Sequence, residues 1–372
     1  MSRPANVIIN LDALCNNYRA IKQLSGGKVL AVVKADAYGH GARWCASALA
    51  GAADGFAVAC IEEAVELRES GITQPIVLLE GFFEPCELAL IEHYRLDTVI
   101  HHPYQLNILK NQPLKTSIRV WLKMDSGMGR VGFLPSDYRK TWEQLNDLPW
   151  VRDIIKMTHL ACADEPQKNQ TIEQLERFET YTLGLPGDRS IANSAAITCF
   201  PSARAEWNRP GLLLYGISPL PPKSTNKLSL TPVMSLRSAI ISIKEIPCGS
   251  PVGYGATWVA TRPSRIGIVA IGYADGYPRQ AKNGTEVIIK DRTVPLAGHV
   301  SMDMLTVDLT DRPDVQMGDE VTLWGEALSV ATIAENAGTI PYQLLCNLNR
   351  VPVHYISEAS AIATQEPTPA AG

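Results

Sequence analysis

From residue 28 to about 220, short apolar runs alternate with stretches of helical period. The runs are 29–33, 55–59, 76–79, 98–100, 117–123, 154–160, 190–192 and 212–215. Between them, segments such as 42–49, 62–68 and 171–181 read as helices. Many of the runs are apolar throughout rather than at every second residue, as strands buried on both faces require. Eight such strands with intervening helices predict an α/β fold, a (β/α)8 barrel in preference to a doubly wound sheet. Residues 221–229 (PPKSTNKLS) form a polar linker, and the texture then changes. Runs at 234–246, 265–271, 285–289, 304–307 and 321–324, separated by Gly, Pro and Asp turns, predict a mostly β C-terminal domain. Short helices are expected at 332–337 and 341–348. The predicted organisation is a first strand within 1–10, a candidate to pack with the β domain, a barrel over 11–225, a β domain over 226–361 and a flexible tail over 362–372.

The bulk numbers narrow the function. A chain of 372 residues with 46% apolar and 19% charged residues supports large buried cores. A net charge of −4 without a basic stripe argues against nucleic acid. No apolar run reaches membrane-spanning length, and the N-terminus runs into Val7-Ile8-Ile9 without a signal-peptide core. The eight cysteines are scattered with no C-x-x-C pair, which fits reduced thiols in a cytoplasmic protein and argues against a zinc site.

Polar residues then recur where the barrel strands end. Lys34 follows the first, Lys123 ends the fifth, His159 lies near the end of the sixth, and Asn193-Ser194 follows the seventh. Asn208-Arg209 stands before the eighth run or ends an earlier piece of it, where Pro210-Gly211 interrupts. Barrel active sites are built at that mouth, and a desolvated lysine there suits Schiff-base chemistry. Taken alone, Lys34 reads equally well as a snorkelling strand-end lysine. The segment Gly127–Gly132 matches G-x-G-x-x-G, but Pro135-Ser136 starts the helix too late for a dinucleotide turn. The small residues of 193–196 and 209–212 leave backbone N–H groups free to approach a phosphate, to which Ser194 adds a hydroxyl. A Schiff-base lysine with a late-barrel phosphate site describes an enzyme that uses pyridoxal 5'-phosphate (PLP).

Seven segments together resemble the alanine racemases. They are AVVKADAYGHG (31–41), LKMDSGMGR (122–130), ANSAA (192–196), RPGLLLYG (209–216), VGYGAT (252–257), IGYADGYPR (271–279) and SMDM (301–304), in family order. The resemblance implies L-alanine/D-alanine interconversion by two bases, for peptidoglycan supply or alanine catabolism. Lys34 would bind PLP covalently and act as one base. Tyr254 would be the other, entering from the second subunit of a homodimer. His159 and Arg209 match a histidine–arginine pair that stands behind the tyrosine. Arg209 also matches the partner of the PLP ring nitrogen. Tyr38, Asn193, Ser194, Gly211 and Leu212 match cofactor contacts, and Arg130 with the backbone at Met302 matches substrate-carboxylate contacts. Lys123 matches a lysine often found carbamylated. Asn349 stands where some relatives place a phosphate-binding tyrosine. A broader racemase acting on serine is the nearest alternative. A PLP-dependent decarboxylase would put a glutamate where Arg209 stands. A non-catalytic PLP carrier would lack the β domain.

Overall fold

A computed structural model describes residues 3–220, 228–357 and 360–365. The chain divides into two compact units. One comprises Leu14–Ala37 and Gly41–Leu230; the other comprises Met1–Ala13, Tyr38–His40 and Thr231–Gly372. Strand β1 (Asn6–Asn10) belongs to the second unit.

The first unit is a closed parallel barrel. Its strands in order are β2 (Lys28–Val32), β3 (Gly55–Val58), β4 (Ile76–Leu78), β5 (Asp97–Ile100), β6 (Ile118–Lys123), β7 (Val151–Met157), β8 (Arg189–Asn193) and β9 (Trp207–Arg209). The barrel closes where Lys28 and Val29 pair with Trp207 and Asn208. β3, β4 and β5 are buried at every residue; β3 and β4 accordingly read as unbroken apolar runs, while β5 also buries Asp97 and Thr98. The following helices turn one apolar face inward, as Ile61, Ala64 and Leu67 do on helix Ile61–Glu69.

The eighth strand differs from expectation. It is Trp207–Arg209, whereas Leu212–Tyr215 forms a 3-10 turn. Pro210 cannot donate to a ladder, and the turn closes on Gly216 in the left-handed region (φ 79°). All four residues of 212–215 are buried, so a buried helical turn imitated a buried strand.

The second unit is built on a sheet in the order β15-β14-β17-β10-β1-β18-β19, with β13 pairing β10 and β16. These are β10 (Met234–Ile246), β13 (Ser264–Val269), β14 (Glu286–Ile289), β15 (Arg292–Pro295), β16 (Leu305–Asp308), β17 (Glu320–Trp324), β18 (Val353–Ser357) and β19 (Ser360–Gln365). A small hairpin of β11 (Pro251–Val252) and β12 (Trp258–Val259) stands apart. β1 lies antiparallel to β10 and parallel to β18. The tail expected to be flexible from 362 instead pairs with β18 as far as Gln365, because an open strand edge offers backbone partners. Residues 366–372 of that tail, and 221–227 of the expected linker, lie outside the described residues. Among the described residues no helix is long and apolar enough to cross a membrane.

Candidate active site

Lys34 leaves the barrel one residue after the last β2–β3 rung, in which Val33 N–H donates to Ala57 O at 2.9 Å. The loop expected after it is a left-handed helical turn. Ala35, Asp36, Ala37 and Tyr38 have φ of 51°, 51°, 54° and 52°, and Gly39 has 77°. Each non-glycine residue there costs about 1–2 kcal/mol. Several bonds hold the turn. Ala37 N–H reaches Val33 O (2.8 Å), Gly41 N–H reaches Asp36 O (3.0 Å), and Ala42 N–H reaches the Asp36 carboxylate (2.6 Å). Glu63 accepts the N–H of Ala35 at 2.7 Å. Lys34 itself is half-buried.

The strand ends opposite collect cations. Lys123, buried at the end of β6, is pushed down to about 7 by burial and by Arg209, Arg130 and Lys34. Arg209, buried at the end of β9, donates to Ser190 Oγ (2.5 Å), Thr158 O (2.7 Å), Ile191 O (3.3 Å) and His159 Nδ1 (3.3 Å). All four acceptors are neutral. Burial pulls the guanidinium to about 9, which leaves it a cation at neutral pH. Burial, then Arg209 and Lys123, hold His159 well below the usual histidine value. The imidazole is therefore neutral, and with Nδ1 accepting from Arg209 its proton is assigned to Nε2. Arg130 is exposed on the loop after β6. Asp125 shapes that loop by accepting the N–H groups of Gly127 (3.0 Å), Met128 (2.9 Å) and Gly129 (3.1 Å). The glycine-rich segment thus spends its amides on a carboxylate of its own loop, and its helix starts at Pro135.

Late in the barrel, Ser194 is buried and its Oγ accepts Gly211 N–H (2.9 Å) and Leu213 N–H (3.4 Å). The hydroxyl hydrogen is left to donate outward. Gly211 has therefore already committed its N–H, while among the described residues no protein acceptor takes that of Leu212. Asn193 caps helix Ser194–Cys199 through Ala196 N–H (3.0 Å) and donates to Leu160 O (3.2 Å).

The remaining candidates lie in the β unit. Tyr254 sits on the turn between β11 and β12, between Gly253 (φ 74°) and Gly255 (φ 73°), and is 69% exposed. Met302 is also exposed, and its carbonyl accepts Ala274 N–H at 3.0 Å. A Cβ on Gly272 would lie 2.3 Å from that oxygen, so only glycine permits the approach. Tyr38 is buried beside Tyr342, ring centroids 5.7 Å apart. Asn349 is exposed and donates to Asn347 O at 3.3 Å.

Comparison with known proteins decides among the chemistries this ring allows. The model of the alanine racemase N-terminal domain matches residues 9–219, and that of the C-terminal domain matches 233–355. The chain belongs to the alanine racemase family. It is 53% identical to the alanine racemase of Xanthomonas campestris pv. campestris over 359 residues, 96% of this chain and all of the relative. It is 51% identical to the catabolic alanine racemase of Pseudomonas putida over 356 residues, again 96% and 100%. The crystal structure of biosynthetic alanine racemase from Pseudomonas aeruginosa superposes with a TM-score of 0.93 at 47% identity, covering 96% of this chain and 100% of that one. Alanine racemases are isomerases that depend on PLP. The barrel mouth fits that cofactor. Lys34, Lys123, Arg130 and Arg209 repel one another there, a field that a phosphate dianion relieves, and the Ser194 hydroxyl and Leu212 N–H remain free to bind one.

Several supporting residues of this racemase barrel escaped the sequence reading. Helix Gln170–Thr182 carries Gln170, Gln174 and Arg177 at i, i+4 and i+7 on one face. Fully buried Gln174 accepts Ala161 N–H (2.9 Å) and donates to His159 O (3.0 Å). Arg177 and Gln170 donate to the carbonyls of Ser126 (2.5 Å) and Gly127 (2.8 Å). One helix thus braces the His159 and Arg130 loops. Gln174, a polar residue at an inward position of the helical period, was the available signal; Gln170 and Arg177 are exposed and gave none.

Proposed function

We propose that this chain interconverts L- and D-alanine, with Lys34 and Tyr254 exchanging the α-proton on opposite faces of the substrate. The arginine at the end of β9, buried among neutral acceptors and bonded to His159 at 3.3 Å, carries the reading. Inversion needs one group to take a proton and a second to deliver one from the other side. Lys34 would hold PLP covalently, with Ser194 and Leu212 at its phosphate and Tyr38, Asn193 and Gly211 shaping the surroundings. When bound, the cofactor withdraws electrons from the substrate and acidifies its α-C–H bond. Arg209 donates hydrogen bonds and accepts none, so it would leave the ring nitrogen unprotonated and favour proton return over side reactions. Neutral His159, oriented by Arg209, would stand behind Tyr254 and donate its Nε2–H to the phenol oxygen, which favours the phenolate.

Arg130 and the N–H of Met302 would hold the substrate carboxylate, a charge-assisted contact of about 1.5–3 kcal/mol. Lys123, half neutral near pH 7, is suited to add carbon dioxide; as a carbamate it would steady Arg130 instead of repelling it. Tyr254 is exposed on a turn with glycines on both sides, which suits a base supplied to a second subunit. The proposed assembly is a homodimer with shared sites. The test is purified protein with PLP and L-alanine, followed by chiral chromatography. Both enantiomers should approach equal amounts, and an unchanged L-alanine peak would overturn the proposal.

A further inference from the structure

We propose that Glu63 is a positioning residue for Lys34, because its carboxylate fastens the left-handed turn that aims the lysine. The inference rests on reading Lys34 as the cofactor-holding residue. Glu63 is half-buried in the first turn of helix Ile61–Glu69, just after β3. One of its oxygens accepts Ala35 N–H at 2.7 Å and the other accepts Ala59 N–H at 2.7 Å. These two amides stand two residues beyond the Val33–Ala57 rung on each strand. The carboxylate therefore continues the β2–β3 pairing after the backbones diverge.

The Ala35 amide belongs to the peptide immediately after Lys34, so the bond fixes the plane from which the lysine departs. That plane needs fixing. Ala35 to Tyr38 contain no glycine, yet all four hold positive φ. L-residues relax from that region toward the right-handed one unless their surroundings over-determine it. Relaxation would rotate the peptide that follows Lys34 and swing the side chain. A carboxylate suits the task because it accepts twice and donates nothing. Its oxygens are also spent on backbone amides, and among the described residues no carboxylate forms an ion pair with Lys34. The lysine keeps its donors for the cofactor.

Glu63→Gln tests this, with Glu62→Gln as the control. Glu62 is an exposed acid on the same helical turn and touches neither amide. Hydrogen exchange of the holoenzyme, read by mass spectrometry over 34–37 and 58–60, should accelerate about tenfold or more in Glu63→Gln and stay unchanged in the control. Turnover should fall about tenfold in both directions while KM for alanine stays within about threefold, since aim rather than substrate binding is lost. Unchanged exchange would show that Glu63 does not hold the turn. Faster exchange with unchanged turnover would show that the held turn does not aim the lysine. If Glu63→Gln does not fold, Glu63→Asp, too short to span both amides, is judged by the same readings. Borohydride reduction of the wild-type enzyme with peptide mapping checks the underlying assignment separately. Label on another lysine removes the Lys34 reading; label on Lys34 with full turnover in Glu63→Gln removes the positioning role alone.

Discussion

Replacing Lys123 by methionine removes a buried charge while keeping an unbranched side chain one atom shorter. The lysine is 6% exposed. Burial, then Arg209, Arg130 and Lys34, lower its pKa from 10.5 to about 7. In the unfolded chain it returns to about 10.4. The unfolded state therefore binds the proton more tightly, and stability rises with pH across that window. The penalty on the fold is complete below about pH 7 and fades as pH climbs toward about 10.4. Between pH 7 and 9 the unfolded lysine stays charged, while the folded one goes from about half charged to nearly neutral. Integrating that difference gives roughly 2 kcal/mol of stability gained by the wild type over those two pH units. Urea unfolding of the cofactor-free protein in carbon-dioxide-free buffer, at both pH values, measures it. Lys123→Met should lack this gain and should be the more stable protein at pH 7. Added bicarbonate should stabilise the wild type and leave the variant unchanged, as carbamate formation requires. Parallel pH dependences in the two proteins would refute the reasoning.

Three further outcomes are expected. Mixed Lys34→Ala and Tyr254→Phe chains, dissociated and reassociated, should recover up to about a quarter of wild-type activity by random exchange, since one site of each heterodimer carries both intact bases; a fully exchanged mixture that stays inactive argues against a shared site. Tyr254→Phe should slow α-proton exchange with solvent more for L-alanine than for D-alanine, and equal losses would contradict separate bases. Gln174→Ala strips partners from Ala161 N–H and His159 O and should destabilise the protein by about 2–5 kcal/mol in thermal or urea unfolding; a change under about 0.5 kcal/mol would contradict the bracing role.

What the sequence determined by itself was local period and local chemistry. Runs buried on both faces, such as Gly55–Val58 and Ile76–Leu78, declared the barrel strands, because full burial leaves no polar alternation. Lys34 and Lys123 announced themselves by standing where apolar strands stop. Tertiary structure decided which partner each polar group took. Leu212–Tyr215 became a turn instead of a strand because Trp207–Arg209 supplied the rung that closes the barrel. Gly211 spent its N–H on Ser194, and Gln174 became a brace for His159, through contacts between residues far apart in the chain. The left-handed turn after Lys34 was likewise invisible, since alanine, aspartate and tyrosine do not favour positive φ on their own. It exists where Glu63, Asp36 and the last β2–β3 rung hold it, and only the folded chain brings those groups together.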